Sequence, residues 1–264
     1  MNAMTLNSLR ALKRDGKRFS CLTAYDASFA HLLSSSGIEV LLVGDSLGMV
    51  VRGHSSTVPV RMEEMVYHTH CVAAGNQGAL LMADLPFMSY TTPVQALENS
   101  AQLMQAGANV VKLEECQQLV EIIAALSGCG IPSCAHIGLA PQSVNKLGGY
   151  RVQGRDATAA QAMIEHAVAL EEAGADLLLL ECVPSRLAET ITRQLTIPVI
   201  GIGAGAATDA QVLVLHDMLG ITPGKPPKFV RNFMIGADSI QQAITGYRDA
   251  VLDGTFPGPE QSFS

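Results

Sequence analysis

The chain is predicted to fold as an α/β protein, a (β/α)8 barrel, on three observations. Short aliphatic runs of strand length alternate with amphipathic, helix-like stretches along the whole sequence. Four of these runs end in acids: Asp45 after VLLVG, Asp84 in LLMAD, Glu114 in VVKLE and Glu181 in LLLLE. Two pairs of segments, AGANVVKLE with AGADLLLLE and IPSCAHIG with IPVIGIG, recur roughly 66 residues apart, a spacing that holds two β/α units. Carboxylates repeated at the ends of buried strands point to one shared site at the carboxyl end of a barrel, with a doubly wound open sheet as the competing arrangement.

Each element can be justified in turn. Phe19 to Tyr25 reads as the first strand, and Asp26 caps a helix that carries Phe29, Leu32 and Leu33 on one face and stops at Gly37. Val40 to Val43 forms the second strand, breaks at Gly44 and opens into a polar, glycine-containing loop reaching Pro59. The helical stretch RMEEMVYHTHCVAAG leads to the strand ALLMADLPF from Ala79. Thr92 and Pro93 take the N-cap and first-turn positions of the next helix, whose apolar stripe is Leu97, Ala101 and Met104 and whose end is Gly107. Strand VVKLE, a helix to about Leu126, strand PSCAHIGL and the long polar loop APQSVNKLGGYRVQGRD follow. A loop of that length in a compact domain is usually functional or mobile. A helix from about Thr158 to Ala173, strand ADLLLLE, a shorter helix from Pro184 and strand IPVIGIGAG come next. A strand-like QVLVLHDML from Gln211 then precedes the helical tail QQAITGYRDAVLDG.

The chain's 264 residues, 48% hydrophobic, suffice for a single barrel domain spanning 1–264 with a C-terminal helical segment. No apolar run approaches the roughly 18 residues of a membrane helix. Seventeen Lys+Arg against 24 Asp+Glu leave a net charge of -7, which excludes a broad basic field for nucleic acid or anionic lipid. Small molecules and protein subunits remain as partners. The six cysteines form no CxxC pair, so they read as idle thiols of a reducing cytoplasm rather than as a zinc site or disulfide scaffold. The N-terminal stretch MNAMTLNSLRALKRDGKRF lacks the apolar core and cleavage site of a secretory signal, and Asp15 argues against a transit peptide. The expected location is cytoplasmic.

Strand alternation puts Lys112 and Glu114 on one face and Val111 and Leu113 on the other, so an outward apolar pair points the charged pair into the barrel. A buried ion pair that only fixes packing is the plain alternative. Asp45, Asp84 and Glu114 offer oxygen ligands alone, with no Cys or His at ligand spacing nearby, which favours Mg2+ or Mn2+ over structural Zn2+. Such an ion leaves positions for the carboxylate and carbonyl of a 2-oxo acid and acts on that carbonyl as a Lewis acid. Asp45 taken alone serves equally well as the N-cap of a turn. Glu181 follows four leucines, surroundings that raise a carboxyl pKa and suit a proton acceptor, while a satisfied core Glu is the rival reading. His136, at another strand end, is either a donor to substrate or a structural histidine. GIGAGA, from Gly201 to Ala206, fits a loose dinucleotide pattern and opens an oxidoreductase reading; a glycine-rich barrel loop explains it as well. His54, His68, His70 and His216 follow no ligand spacing and read as surface or packing residues.

Seven segments in order, VGDSLGMVVRGHSSTVPV, LMADLPFMSY, AGANVVKLE, HIGLAPQSVNKLGGYRVQGR, LLLLECVP, IPVIGIGAG and HDMLGITPGKPPKFV, together resemble the ketopantoate hydroxymethyltransferase family over nearly the whole chain. The resemblance implies a barrel of the phosphoenolpyruvate/pyruvate type, Mg2+ or another divalent ion, 5,10-methylenetetrahydrofolate as co-substrate, and a homo-oligomer, a decamer in the family. It implies that Asp45 and Asp84 hold the metal with Glu114 as the third acid, and that Asp45, Ser46, Asp84, Lys112 and His136 contact the substrate. Lys112 would counter enolate charge and Glu181 would be the catalytic base at C3 of 3-methyl-2-oxobutanoate. The metal-stabilised enolate would then take up the one-carbon unit, giving 2-dehydropantoate for pantothenate biosynthesis. The chain departs from the family pattern at Glu115 and Cys116, where a glycine pair is expected, at Ala140 in place of Thr, and at Ser55, where an acid is common. These departures bear on loop geometry and metal preference. A metal-dependent lyase or mutase of the same barrel superfamily, acting on another 2-oxo acid, and a non-catalytic oxo-acid binder are the competing readings. The segment from Phe229 to Phe263 is expected at a subunit interface.

Overall fold

A computed structural model describes residues 3–149 and 151–264. Tyr150, inside the long polar loop, and Met1 and Asn2 of the basic N-terminal stretch lie outside the described residues. The chain opens with α1 (Leu6–Arg14), β1 (Phe19–Thr23), α2 (Ala27–Ser35), β2 (Val40–Val43), the short α3 (Leu47–Val50), α4 (Met62–Gly75), β3 (Leu80–Asp84) and α5 (Pro93–Gln105). It continues through β4 (Val110–Glu114), α6 (Leu119–Gly128), β5 (Ser133–Gly138), the one-turn α7 (Val144–Leu147), α8 (Ala157–Glu172) and β6 (Leu177–Glu181). The last elements are α9 (Ser185–Gln194), β7 (Val199–Ile202), β8 (Ala210–Leu213), α10 (Leu215–Met218) and α11 (Ile240–Leu252). Each strand pairs in parallel with its neighbour in sequence, and β8 pairs with β1, Phe19 opposite Ala210, to close the barrel. Closure rules out the open sheet.

Both faces of every strand are covered, which is why the strands read as unbroken aliphatic runs instead of alternating ones. Leu41, Val43, Leu81, Ala83, Val111 and Leu113 pack outward under the helices. Val40, Leu42, Leu80, Met82, Leu177 and Leu179 fill the barrel itself. Val111 and Leu113 therefore face the helices, and the alternation that turns Lys112 and Glu114 inward holds. Local chemistry sets the helix starts as predicted at Asp26 and Thr92, which each accept a bond from a backbone N–H three residues on, with Pro93 opening α5; Asp156 caps α8 in the same way.

Sequence reading overlooked α1, and it closes the floor of the barrel. Leu9 is fully buried among the barrel-filling side chains, with Leu6 and Leu12 beside it. Arg10 reaches Asp176 just before β6 at 2.6 Å, and Lys13 reaches Asp209 just before β8 at 2.7 Å, so the helix is tied to the strands' N-terminal ends.

Three details differ from expectation. QVLVLHDML is not one strand: β8 stops at Leu213 and His216 to Met218 are helical, because the backbone N–H of Leu215 donates to Thr23 Oγ1 of β1 and starts α10 there. No helix joins β7 to β8, so the βα alternation lapses once. The tail segment, whatever its other face meets, also contributes to this chain's own barrel wall: Tyr247 of α11 is fully buried, its hydroxyl 3.0 Å from Cys21 O and 2.9 Å from Gln211 O. Among the described residues all six cysteines are free, and no helix is long and apolar enough to cross a membrane.

Candidate active site

The predicted residues gather at the C-terminal ends of adjacent strands. Register places Asp84 opposite Lys112, Glu114 opposite His136, and Gly138 opposite Glu181. Asp45 and Ser46 follow β2, where Gly44 leaves room for them: a Cβ there would stand 2.7 Å from Ser46 Oγ and 3.5 Å from Asp84 Oδ2. Gly138 is needed for a second reason. Its φ is +99°, and a Cβ would run into the Glu181 carbonyl at 2.3 Å, so glycine alone lets β5 close on β6 beside Glu181.

Lys112 Nζ lies 2.5 Å from Asp84 Oδ1, both side chains almost wholly buried, and Asp84 Oδ2 accepts the Asp45 backbone N–H at 3.0 Å. Ser46 Oγ is 3.0 Å from the Tyr25 hydroxyl. His136 lies between two acids, Nε2 at 3.3 Å from Glu181 Oε2 and Nδ1 at 3.6 Å from Glu114 Oε1, yet neither ring nitrogen has an aligned hydrogen bond among the described residues. One residue past Glu181, Cys182 adopts a left-handed φ of +49°, a strain of about 1 kcal/mol for a residue with a Cβ. Its carbonyl accepts the Gln153 N–H, which pins the long polar loop to the end of β6.

Charge is concentrated here without balance. Burial, reinforced by the Asp84 charge, pushes Asp45 up to about 7. Burial and the Asp45 charge hold Glu114 well above the carboxylate range. Burial pushes Glu181 up to about 8, against the opposing pull of Lys112. The neighbouring carboxylates outweigh burial at Lys112 and raise it, while burial and then Lys112 depress His136 well below the usual imidazole value. His136 is therefore neutral near pH 7.

The acids are not arranged as a ready-made ion cage. Among the described residues no three His, Cys, Asp or Glu side chains converge to hold a metal. Asp84 is engaged by Lys112, while Gln142 takes the other two acids: Nε2 donates to Asp45 Oδ2 and the backbone N–H donates to Glu114 Oε2, both at 2.9 Å. The donor set still suits a divalent ion. It consists of oxygens alone, and three buried carboxylates face a single ammonium, an excess of negative charge that a hard cation relieves.

Gln142 and Tyr90, whose hydroxyl donates to Gln142 Oε1 at 2.6 Å, escaped sequence reading. The available signal was the long loop itself, marked as functional, which delivers Gln142 to the mouth. GIGAGA is followed by β8 and not by a helix, so there is no helix N-terminus to receive a pyrophosphate and the dinucleotide reading falls away. His68 Nδ1 bonds the Tyr25 carbonyl at 2.7 Å, His70 is exposed, and His216 packs on the Tyr25 ring at 5.5 Å, consistent with packing and surface roles.

A family model described as ketopantoate hydroxymethyltransferase matches residues 3–259. The 3-methyl-2-oxobutanoate hydroxymethyltransferase of Marinobacter nauticus is 60% identical over 261 residues, covering 99% of either chain. The 3-methyl-2-oxobutanoate hydroxymethyltransferase 2 of Hahella chejuensis is 57% identical over 262 residues, again covering 99% of each. Among solved structures, 2,3-dimethylmalate lyase, a member of the phosphoenolpyruvate mutase/isocitrate lyase superfamily, is similar with a TM-score of 0.59 at 16% identity, over 83% of this chain and 82% of that one. That last likeness concerns the fold alone. With the match running from the floor helix through every strand of the site, the chain belongs to the ketopantoate hydroxymethyltransferase family.

Proposed function

We propose that the mouth of this barrel transfers a hydroxymethyl group to 3-methyl-2-oxobutanoate, with 5,10-methylenetetrahydrofolate and water as the source and 2-dehydropantoate and tetrahydrofolate as products, a step of pantothenate biosynthesis. The observation that carries this reading is the site's charge pattern: buried, mutually repelling acids beside one lysine, with a carboxyl of raised pKa at the end of β6. Enolisation of a 2-oxo acid needs such a base and a cationic partner for the developing oxyanion.

In this reading Ser46 and Lys112 grip the oxo acid, and the Lys112 ammonium offsets charge on the enolate oxygen. Glu181 takes the proton from C3; the enolate carbon then forms the new C–C bond to the one-carbon unit, whose two C–N bonds to the folate break as water supplies the hydroxyl oxygen and tetrahydrofolate leaves. The neutral His136 ring, 3.3 Å from Glu181 without an aligned hydrogen bond to it, offers a hydrogen bond to substrate oxygen next to that carboxyl. Asp45 and Asp84, with Glu114 beside them, would hold a divalent ion, whose contribution would be Lewis-acid polarisation of the 2-oxo carbonyl. Exposed Tyr67, Val94, Ile221 and Ile235 support a homo-oligomer, and the free thiols support a reducing, cytoplasmic setting.

Proton NMR of 3-methyl-2-oxobutanoate in D2O tests the reading. The C3 proton signal is expected to disappear with protein and Mg2+, to persist with chelator, and to give way to 2-dehydropantoate once methylenetetrahydrofolate is added. Exchange without any product on addition of the folate would exclude that co-substrate; no exchange with any divalent ion would exclude the enolisation.

A further inference from the structure

Gln142 is buried at the first turn beyond β5, and both ends of its amide are committed. Nε2 donates to Asp45 Oδ2 at 2.9 Å and to the Leu85 carbonyl at 3.0 Å, the backbone N–H donates to Glu114 Oε2 at 2.9 Å, and Oε1 accepts from the Tyr90 hydroxyl at 2.6 Å. The Leu85 carbonyl can only accept, so the amide nitrogen has one placement; Oε1 is left for Tyr90, which must be the donor. One side chain thus joins the loop after β2, the loop after β3 and the loop after β5, and the same residue's backbone holds the end of β4. Gln142 and Tyr90 are not among the residues expected to touch substrate.

We propose that Gln142 is a positioning residue for the reaction, fixing the direction of Asp45 and Glu114, and that Tyr90 acts through it by fixing its amide. The proposal rests on the metal-assisted reading given above. Asp45 and Glu114 repel each other, and without donors between them each carboxylate turns away from the other. Ligating carboxylates are themselves held by hydrogen bonds, and removing such a partner typically costs about 10–100-fold in metal affinity or activity.

The test uses Mn2+ as the probe, with free Mn2+ read by electron paramagnetic resonance on substrate-free protein, beside steady-state kinetics. Gln142→Met keeps the volume and removes the side-chain donors to Asp45 and the Leu85 carbonyl while leaving the backbone N–H on Glu114; it is expected to weaken Mn2+ binding about 10-fold and to lower kcat about 10–100-fold while KM for the oxo acid moves far less. Tyr90→Phe is expected to give a smaller loss in both, and Tyr90→Phe combined with Gln142→Met no further loss beyond Gln142→Met alone. Wild-type Mn2+ affinity and kcat in Gln142→Met would overturn the proposal, and additive losses would overturn the link through Tyr90. Should Gln142→Met fail to fold, Tyr90→Phe decides alone, with unchanged affinity and kcat refuting it. Wild-type protein that takes up no Mn2+ would instead overturn the metal reading, and the proposal with it.

Discussion

His136 Nε2 and Glu181 Oε2 face each other across 3.3 Å at the ends of β5 and β6, the histidine buried and the glutamate only slightly exposed. Burial drives the two groups in opposite directions: it depresses the imidazole and pushes the carboxyl up to about 8. Near neutrality the pair is therefore a neutral ring against a carboxyl that still holds its proton in much of the population. A base in that state is ready to accept once deprotonated, and its partner carries no charge that would quench it.

Glu181→Gln keeps shape and hydrogen-bonding length but cannot take a proton. Turnover should fall by about 10²–10⁴-fold while oxo-acid and Mn2+ binding persist. Loss of C3 proton exchange in D2O at retained affinity is the result to look for; near-normal exchange would remove Glu181 from the role of base.

The rate should rise with pH. Because Glu181 acts in its ionised form and burial raises it to about 8, kcat/KM for the oxo acid is expected to climb through roughly that pH in the ascending limb. An ascending limb near the ordinary glutamate value of about 4 would contradict the assignment.

Stability should run the other way. Asp45 and Glu181 have folded-state values of about 7 and about 8, above their unfolded ones, so across that window the folded chain binds protons that the unfolded chain has released. Metal-free protein is then most stable in mild acid and loses stability as pH rises through those values. Added Mg2+ needs deprotonated ligands, so it should raise Tm more at about pH 8 than at about pH 5. Thermal melts at the two pH values, with chelator and with Mg2+, check both signs.

Lys112→Met should be costly even without substrate. It strips Asp84 of the ammonium 2.5 Å away and leaves a buried carboxylate unpaired, a loss of about 3–5 kcal/mol. Urea titrations at neutral pH measure the cost; an unchanged midpoint would show the pair to be energetically idle.

The barrel was legible because its strands are buried on both sides: VLLV, LLMAD, VVKLE and LLLLE announce themselves without any alternation, and the acids that end them fall at one rim. The inward turn of Lys112 and Glu114 followed from a period of two. What stayed hidden depends on partners far away in sequence. The end of β8 is set by Thr23, 192 residues upstream of the Leu215 N–H it accepts. Gln142 meets Glu114, Tyr90 and Asp45 across 28, 52 and 97 residues, so nothing around PQS reveals that its amide spans the mouth. The helix α1 was missed because its nine residues carry one fully buried side chain and a largely polar remainder.

That small helix has a chemical consequence. Once the proposed substrate is bound, escape of a reactive enolate into water is a matter of how the barrel is sealed, and with Leu9 fully buried among the barrel-filling side chains the seal at the floor is complete. The ion pairs of Arg10 with Asp176 and of Lys13 with Asp209 hold that seal against the strands' N-terminal ends.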